Sequence, residues 1–184
     1  QKDFENKEAL SDSIIFDRLK LKTKVAIDSI RNIQKYAQVL LETSVMNLNK
    51  DSGDLNKTIQ SVIKYLSPMK KFGRIIFKTE LNSVPMVKYD SEQIQHLLVH
   101  LLTNSADAKS DATIVVRTAS QNGRVEVVIE DDGPGIPPDK QKFDLPGTSK
   151  GGYGLFLCKS IIDQHSGEIS FLEKEKGAAI KFSL

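Results

Sequence analysis

Three times between residues 54 and 182 the spacing of apolar residues switches from helical to extended in the same order, one helix and then two strands. Leu55, Ile59, Val62, Ile63 and Leu66 form the first helical stripe, with Asp54 placed to cap it. Residues 74–81 and 86–89, rich in Ile, Phe, Val and Tyr, read as the two strands that follow. A helix starting near Ser91 turns Ile94, Leu97, Leu98, Leu101 and Leu102 to one side. Residues 113–118 and 124–130 then flank Asn122-Gly123, a dipeptide that favours the tight turn of a hairpin. Residues 155–165 are the third helix, and residues 168–172 and 178–182 the last strands. This order predicts an α+β fold: a two-layer sandwich whose mixed, mainly antiparallel sheet is covered on one face by helices.

The chain ahead of this pattern is different. Residues 11–48 are polar with a thin apolar stripe, Ala26, Ile30, Ile33, Ala37 and Leu40, spaced alternately four and three apart. That rhythm belongs to a long helix that needs a partner, and it predicts a homodimer through a helical bundle. Asn47-Leu48-Asn49-Lys50-Asp51-Ser52-Gly53 breaks the helix with turn-forming residues. The boundary is therefore placed between a helical segment, residues 1–52, and a second domain, residues 53–184.

With 26 basic and 24 acidic side chains in 184 residues, the formal charge of +2 leaves no electrostatic footprint for nucleic acid or an anionic membrane. No stretch approaches the ~20 apolar residues that span a bilayer. Cys158 is the one cysteine, so no internal disulfide can form, and a cytoplasmic location is expected. A start at Gln1 instead of Met fits a piece of a longer protein whose anchor could lie upstream.

Three clusters carry chemistry. The first, Asn104-Ser105-Ala106-Asp107-Ala108, ends the Ser91 helix, where His96, His100, Asn104 and Asp107 share one polar stripe. Asn104 offers a neutral carbonyl oxygen that suits Mg²⁺ bridging to nucleotide phosphates, because it leaves the ion's charge free for them. The second, Asp131-Asp132-Gly133-Pro134-Gly135-Ile136, follows a strand. Its Asp131 carboxylate can accept a hydrogen bond from an exocyclic amine such as adenine's, and Gly133 and Gly135 let backbone approach a flat ring. The third, Gly152-Tyr153-Gly154-Leu155, opens a helix whose free N–H groups attract anions. Between Gly135 and Gly152 lie 16 residues broken by Pro137, Pro138, Pro146 and Gly147, read as a lid, with Lys150 the cation nearest the glycines. His96 and His100 also have the i, i+4 spacing of zinc-protease histidines, but no Glu follows His96 to activate water.

In this order the clusters resemble the N, G1 and G2 boxes of the ATP-binding domain shared by sensor histidine kinases, gyrase-type ATPases, heat-shock chaperones and mismatch-repair ATPases. Similarity to the kinase branch runs from about Asp54 to Leu184, including Tyr89-Asp90 before the first cluster and the run from Gly154 to Gly167. The resemblance implies a Bergerat-type fold, ATP and Mg²⁺ as ligands, and a response regulator as partner. It further implies that Asn104 chelates Mg²⁺, Asp131 binds the adenine amino group, and Gly133, Gly135, Gly152 and Gly154 shape the adenine pocket and the lid hinges. By the same resemblance Asp107, Ala108, Ile136, Tyr153 and Leu155 are expected to line the same nucleotide, with His100, Asn104 and Lys150 nearest the chemistry. Phe143 resembles the aromatic of the lid's F box.

The chain departs from the pattern at several points. His100 stands where histidine kinases usually carry Asn and the ATPase branches carry a catalytic Glu, Asp107 replaces a basic residue, and Phe143-Asp144-Leu145-Pro146 lacks a second aromatic. All three histidines, His96, His100 and His165, fall after residue 53. The phosphoacceptor histidine of such a kinase is therefore expected outside this segment, with residues 23–48 as a second dimerisation helix. Two other readings stay open: a degenerate kinase-like module that binds nucleotide or a partner without transfer, and a gyrase- or chaperone-type ATPase.

Overall fold

A computed structural model describes residues 15–27, 29–30, 33–34, 48–143 and 153–184. The chain divides into two compact units, Gln1–Ser44 and Val45–Leu184. In the first, the described residues are helical, here called α1, and Ile15, Phe16, Leu19, Leu21, Val25, Ile27, Ile30 and Ile33 are all exposed. Ala26 of the expected stripe is exposed as well, while Ala37 and Leu40 lie outside the described residues.

In the second unit Asp54 caps helix α2 (Leu55–Leu66), its carboxylate accepting from the backbone N–H groups of Asn56 and Lys57. Asp90 does the same for α3 (Ser91–Ala108) at Gln93, and α4 spans Tyr153–Gln164. A short ribbon pairs β1 (Asp51–Gly53) antiparallel with β3 (Val87–Tyr89). The main sheet contains β2 (Ile76–Leu81), β4 (Thr113–Gln121), β5 (Arg124–Asp131), β6 (Glu168–Phe171) and β7 (Ala179–Ser183), in the order β2-β4-β5-β7-β6. Among the described residues, only the β2–β4 pairing is parallel. The α+β sandwich expected from the pattern is thus the fold.

Two expectations need correction. Residues 51–53 are a strand and not merely part of a break, and of the expected strand 86–89, residues 87–89 lie outside the main sheet and pair with them. Asp, Ser and Gly have little strand propensity, so this pairing is imposed by its surroundings. Tyr89 is buried across the ribbon with its hydroxyl 2.8 Å from Thr58 Oγ1 on α2.

The core forms where the helical period of 3.6 meets the strand period of two. α3 lies between α2 and α4 and buries Ile94, Leu97, Leu98, Leu101 and Leu102 completely or nearly so. Opposite them, alternate residues of β4 (Ile114, Val116) and β5 (Val125, Val127, Ile129) point inward, joined by Phe182 of β7. The same alternation turns Asp131, next in the series, inward as well. Residues between them face the other way and carry ion pairs, among them Arg117 with Glu80 and Lys181 with Glu126. At the hairpin tip Asn122 and Gly123 both take positive φ (52° and 79°), as a type I′ turn requires.

Candidate functional site

Asp131 ends β5 on the covered face, 5% exposed, below the last turns of α3. Burying an ionised carboxylate costs several kcal/mol unless hydrogen bonds replace its lost water. They are provided: Oδ2 accepts from the Ser105 hydroxyl at 2.8 Å, and Oδ1 from the backbone N–H groups of Gly133 at 2.9 Å and Ala178 at 3.3 Å. Oδ1 is saturated, whereas Oδ2 retains acceptor capacity for one more donor.

The loop before β7 completes this corner. Gly177 has φ of 87°, and a Cβ there would lie 1.8 Å from the Asp131 carbonyl oxygen. Lys174 Nζ donates to that same carbonyl at 3.1 Å. Gly135 packs on the Gly177 carbonyl, where a Cβ would come within 2.9 Å, and Gly133 packs beside Ala108. Asp132, one residue on, faces outward: it accepts from the Thr113 backbone N–H and pairs with Lys109 at 2.9 Å. The Lys109 hydrogen bond, with the Thr113 amide second, holds the Asp132 carboxyl below its ordinary value.

The polar stripe of α3 faces outward, with His96, Asn104 and Asp107 exposed and His100 half-buried. α4 begins against it: a Cβ on Gly154 would lie 3.4 Å from His100 Nδ1 and 3.9 Å from Asn104 Nδ2. Asp107 pairs with Lys71 at 2.7 Å. Ile136 and Leu155 are half-buried. Phe143 stacks on Phe171 of β6, ring centroids 4.4 Å apart. Tyr153 opens α4, while Lys150, Gly152 and residues 144–149 of the expected lid lie outside the described residues.

Three participants were not anticipated. Ser105 was legible, since it neighbours Asn104 on a helix end and carries a hydroxyl. Gly177 and Ala178 act through backbone, and only their place beside Asp131 in the folded sheet reveals them.

The candidate site is therefore a buried, oriented carboxylate at a strand end, a helix edge bearing Asn104 and His100, and the start of α4, where Gly154 lies against that edge. Residues 89–184 match the model of the family described as histidine kinase-, DNA gyrase B-, and HSP90-like ATPase, and the chain belongs to that family. The alginate biosynthesis sensor protein KinB of Pseudomonas aeruginosa is 29% identical over 165 residues, which cover 85% of this chain and 27% of KinB. The chain thus spans about a quarter of that relative's length. The catalytic domain of the histidine kinase ThkA superposes with a TM-score of 0.66 at 26% identity, over 76% of this chain and 97% of the domain. ThkA in complex with the response regulator protein TrrA shares the fold, with a TM-score of 0.70 at 23% identity, over 87% of this chain and 49% of that one. Among the described residues no helix is long and apolar enough to cross a membrane.

Proposed function

We propose that residues 53–184 bind Mg·ATP and transfer its γ-phosphoryl group to a histidine outside this segment, as the catalytic part of a sensor histidine kinase. The observation that carries this reading is the Asp131 carboxylate, fixed from three sides with acceptor capacity left on Oδ2. An acceptor-only group in a nearly dry corner selects an exocyclic amine and repels a carbonyl, as adenine recognition requires.

In this reading Gly133, Gly135, Ala108 and Ile136 flank the purine. Asn104 binds Mg²⁺ through its side-chain oxygen, and Asp107 lies at the outer edge of the pocket. Gly152, Tyr153, Gly154 and Leu155 present the N-terminus of α4 to the phosphates, and Lys150 adds positive charge. His100 stands nearest to them on α3 and serves as a proton donor or acceptor there. The magnesium ion supplies charge neutralisation; the protein supplies positioning and the exclusion of water. The exposed apolar side chains of α1 support homodimerisation through the segment up to residue 52, and kinship with sensor proteins supports a response regulator as the downstream partner.

Calorimetry with Mg·ATP tests the reading: the wild type binds and Asp131→Asn loses binding at least about a hundredfold, the scale of an unpaired buried donor. Unchanged binding in that variant removes the adenine assignment. A second reading, nucleotide binding without transfer, is favoured by His100 at the Gly154 contact. Transfer to an added acceptor helix, measured before and after His100→Asn, separates the two. Loss of transfer in the variant makes His100 a catalytic residue, and transfer appearing only in the variant makes the natural chain a signalling module.

A further inference from the structure

At the opposite end of α4 from Gly154, four residues from distant parts of the sequence meet. His165 follows the helix and is 8% exposed. Its Nδ1 lies 2.7 Å from the Ile161 carbonyl oxygen, and its Nε2 receives the backbone N–H of Asp90 at 2.9 Å. A carbonyl can only accept and a backbone amide can only donate, so the imidazole is neutral with its proton on Nδ1. Asp90 in turn caps α3 with one carboxylate oxygen and accepts from the Asn49 backbone N–H at 3.0 Å with the other. Lys50 closes the ring by donating to the Gln164 carbonyl at 2.7 Å, a cation on the C-terminal end of α4.

We propose that His165 is the latch of a proton-operated clasp that fastens the chain leading into β1, residues 49 and 50, to the junction of α3 and α4. An imidazolium cannot keep this geometry, because it directs a second N–H at the Asp90 N–H. Lys50 from the incoming chain and Asp90 from the start of α3 are the charged groups facing the ring. Lys50 opposes protonation, and the Asp90 carboxylate, which favours it, is already occupied by Gln93 and Asn49. Burial, with Lys50 in support, holds the imidazole below its ordinary value against the pull of the Ile161 carbonyl and Asp90. The neutral form is thus the one the folded chain retains. The clasp's contribution is complete above about pH 6.5, the value of a free imidazole, and is lost as the pH falls through the lower folded value. Acid then frees residues 49 and 50, while β4 and β5 stay paired.

Amide hydrogen exchange followed by NMR, corrected for intrinsic rates, tests this at about pH 7.5 and about pH 5. In the wild type, protection of the Asn49 and Asp90 amides falls by about tenfold per pH unit once the imidazole titrates. Val127 and Ile129 remain protected. In His165→Gln, whose side-chain oxygen accepts from Asp90 without titrating, protection is the same at both pH values. Constant protection in the wild type while the ring titrates overturns the proposal, as does an equal loss in His165→Gln. Should that variant fail to fold, imidazole nitrogen shifts of the wild type decide: an Nδ1–H tautomer titrating below about 6.5 supports the latch, and titration at or above that value refutes it.

Discussion

The two halves of the candidate site are built on different principles. Around Asp131 the carboxylate is buried, hydrogen-bonded on both oxygens and packed to backbone contact: Ser105 on Oδ2, which keeps room for one more donor, two amides on Oδ1, Gly177 against the carbonyl. Around Asn104 and His100 the side chains stand exposed or half-buried on a helix edge, and their close neighbour is Gly154, which has no side chain. The first half is set by folding, so its geometry is stabilised before any ligand arrives. The second presents its side chains at the surface, where the proposed nucleotide would complete it. Substitutions in the first half should therefore register as lost stability together with lost affinity, and substitutions in the second as lost affinity alone.

Gly177→Ala should break this contrast hardest if it is wrong. A methyl group there must avoid an oxygen 1.8 Å away and accept a φ of 87°, and neither neighbour is the tip of a flexible side chain. Strain plus displacement of the β5 end should cost on the order of 3 kcal/mol, read as a shift of the urea midpoint. A midpoint within the scatter of the wild type would show that this corner is not packed as described.

Ser105 and Asn104 are adjacent in sequence and fall on opposite sides of the divide. Ser105→Ala removes one donor from a buried carboxylate and should cost about 1–3 kcal/mol of stability, with a further drop in nucleotide affinity. Asn104→Ala alters an exposed side chain and should leave stability within about 0.5 kcal/mol, yet reduce Mg²⁺-dependent binding of ATP. The pair sharpens the comparison through the ratio of the two effects. If both variants lose stability alike, the helix edge is part of the folded core and not a surface kept for a ligand.

How much of this was legible follows the range of the interactions. α3 declared itself through the spacing of Ile94, Leu97, Leu98, Leu101 and Leu102, and the hairpin through Asn122-Gly123, because periodicity and turn chemistry are local. Strand β1 left no trace, since Asp51, Ser52 and Gly53 pair with β3 only because Tyr89 is anchored to α2 and leaves room above Gly53 for a hydrogen alone. The parallel partnership of β2 and β4 is likewise non-local. Asp131 could be singled out from its glycines, but its burial is a consequence of strand register. Gly177, 46 positions later, could be assigned a purpose only from the fold.

Asp132 offers the smallest effect and the cleanest control, because it is the same residue type as Asp131, one position along, on the opposite face. Its Oδ1 accepts from the Thr113 amide and its Oδ2 pairs with Lys109 in partial contact with solvent, a pairing that contributes little when screened. Asp132→Asn keeps an acceptor for Thr113 and loses only the charge, so nucleotide affinity should be unchanged and the melting temperature should fall slightly. The folded protein holds this carboxyl below its ordinary value, chiefly through Lys109. Its contribution is therefore present above the unfolded value of about 3.9 and disappears as the pH falls through the lower folded value. Melting curves of the wild type and the variant should differ near neutral pH, converge in acid, and converge as well in high salt. A difference that persists through acid would mean that Asp132 acts by shape and not by charge, and the division between a buried inner face and a solvated outer face at the end of β5 would have to be redrawn.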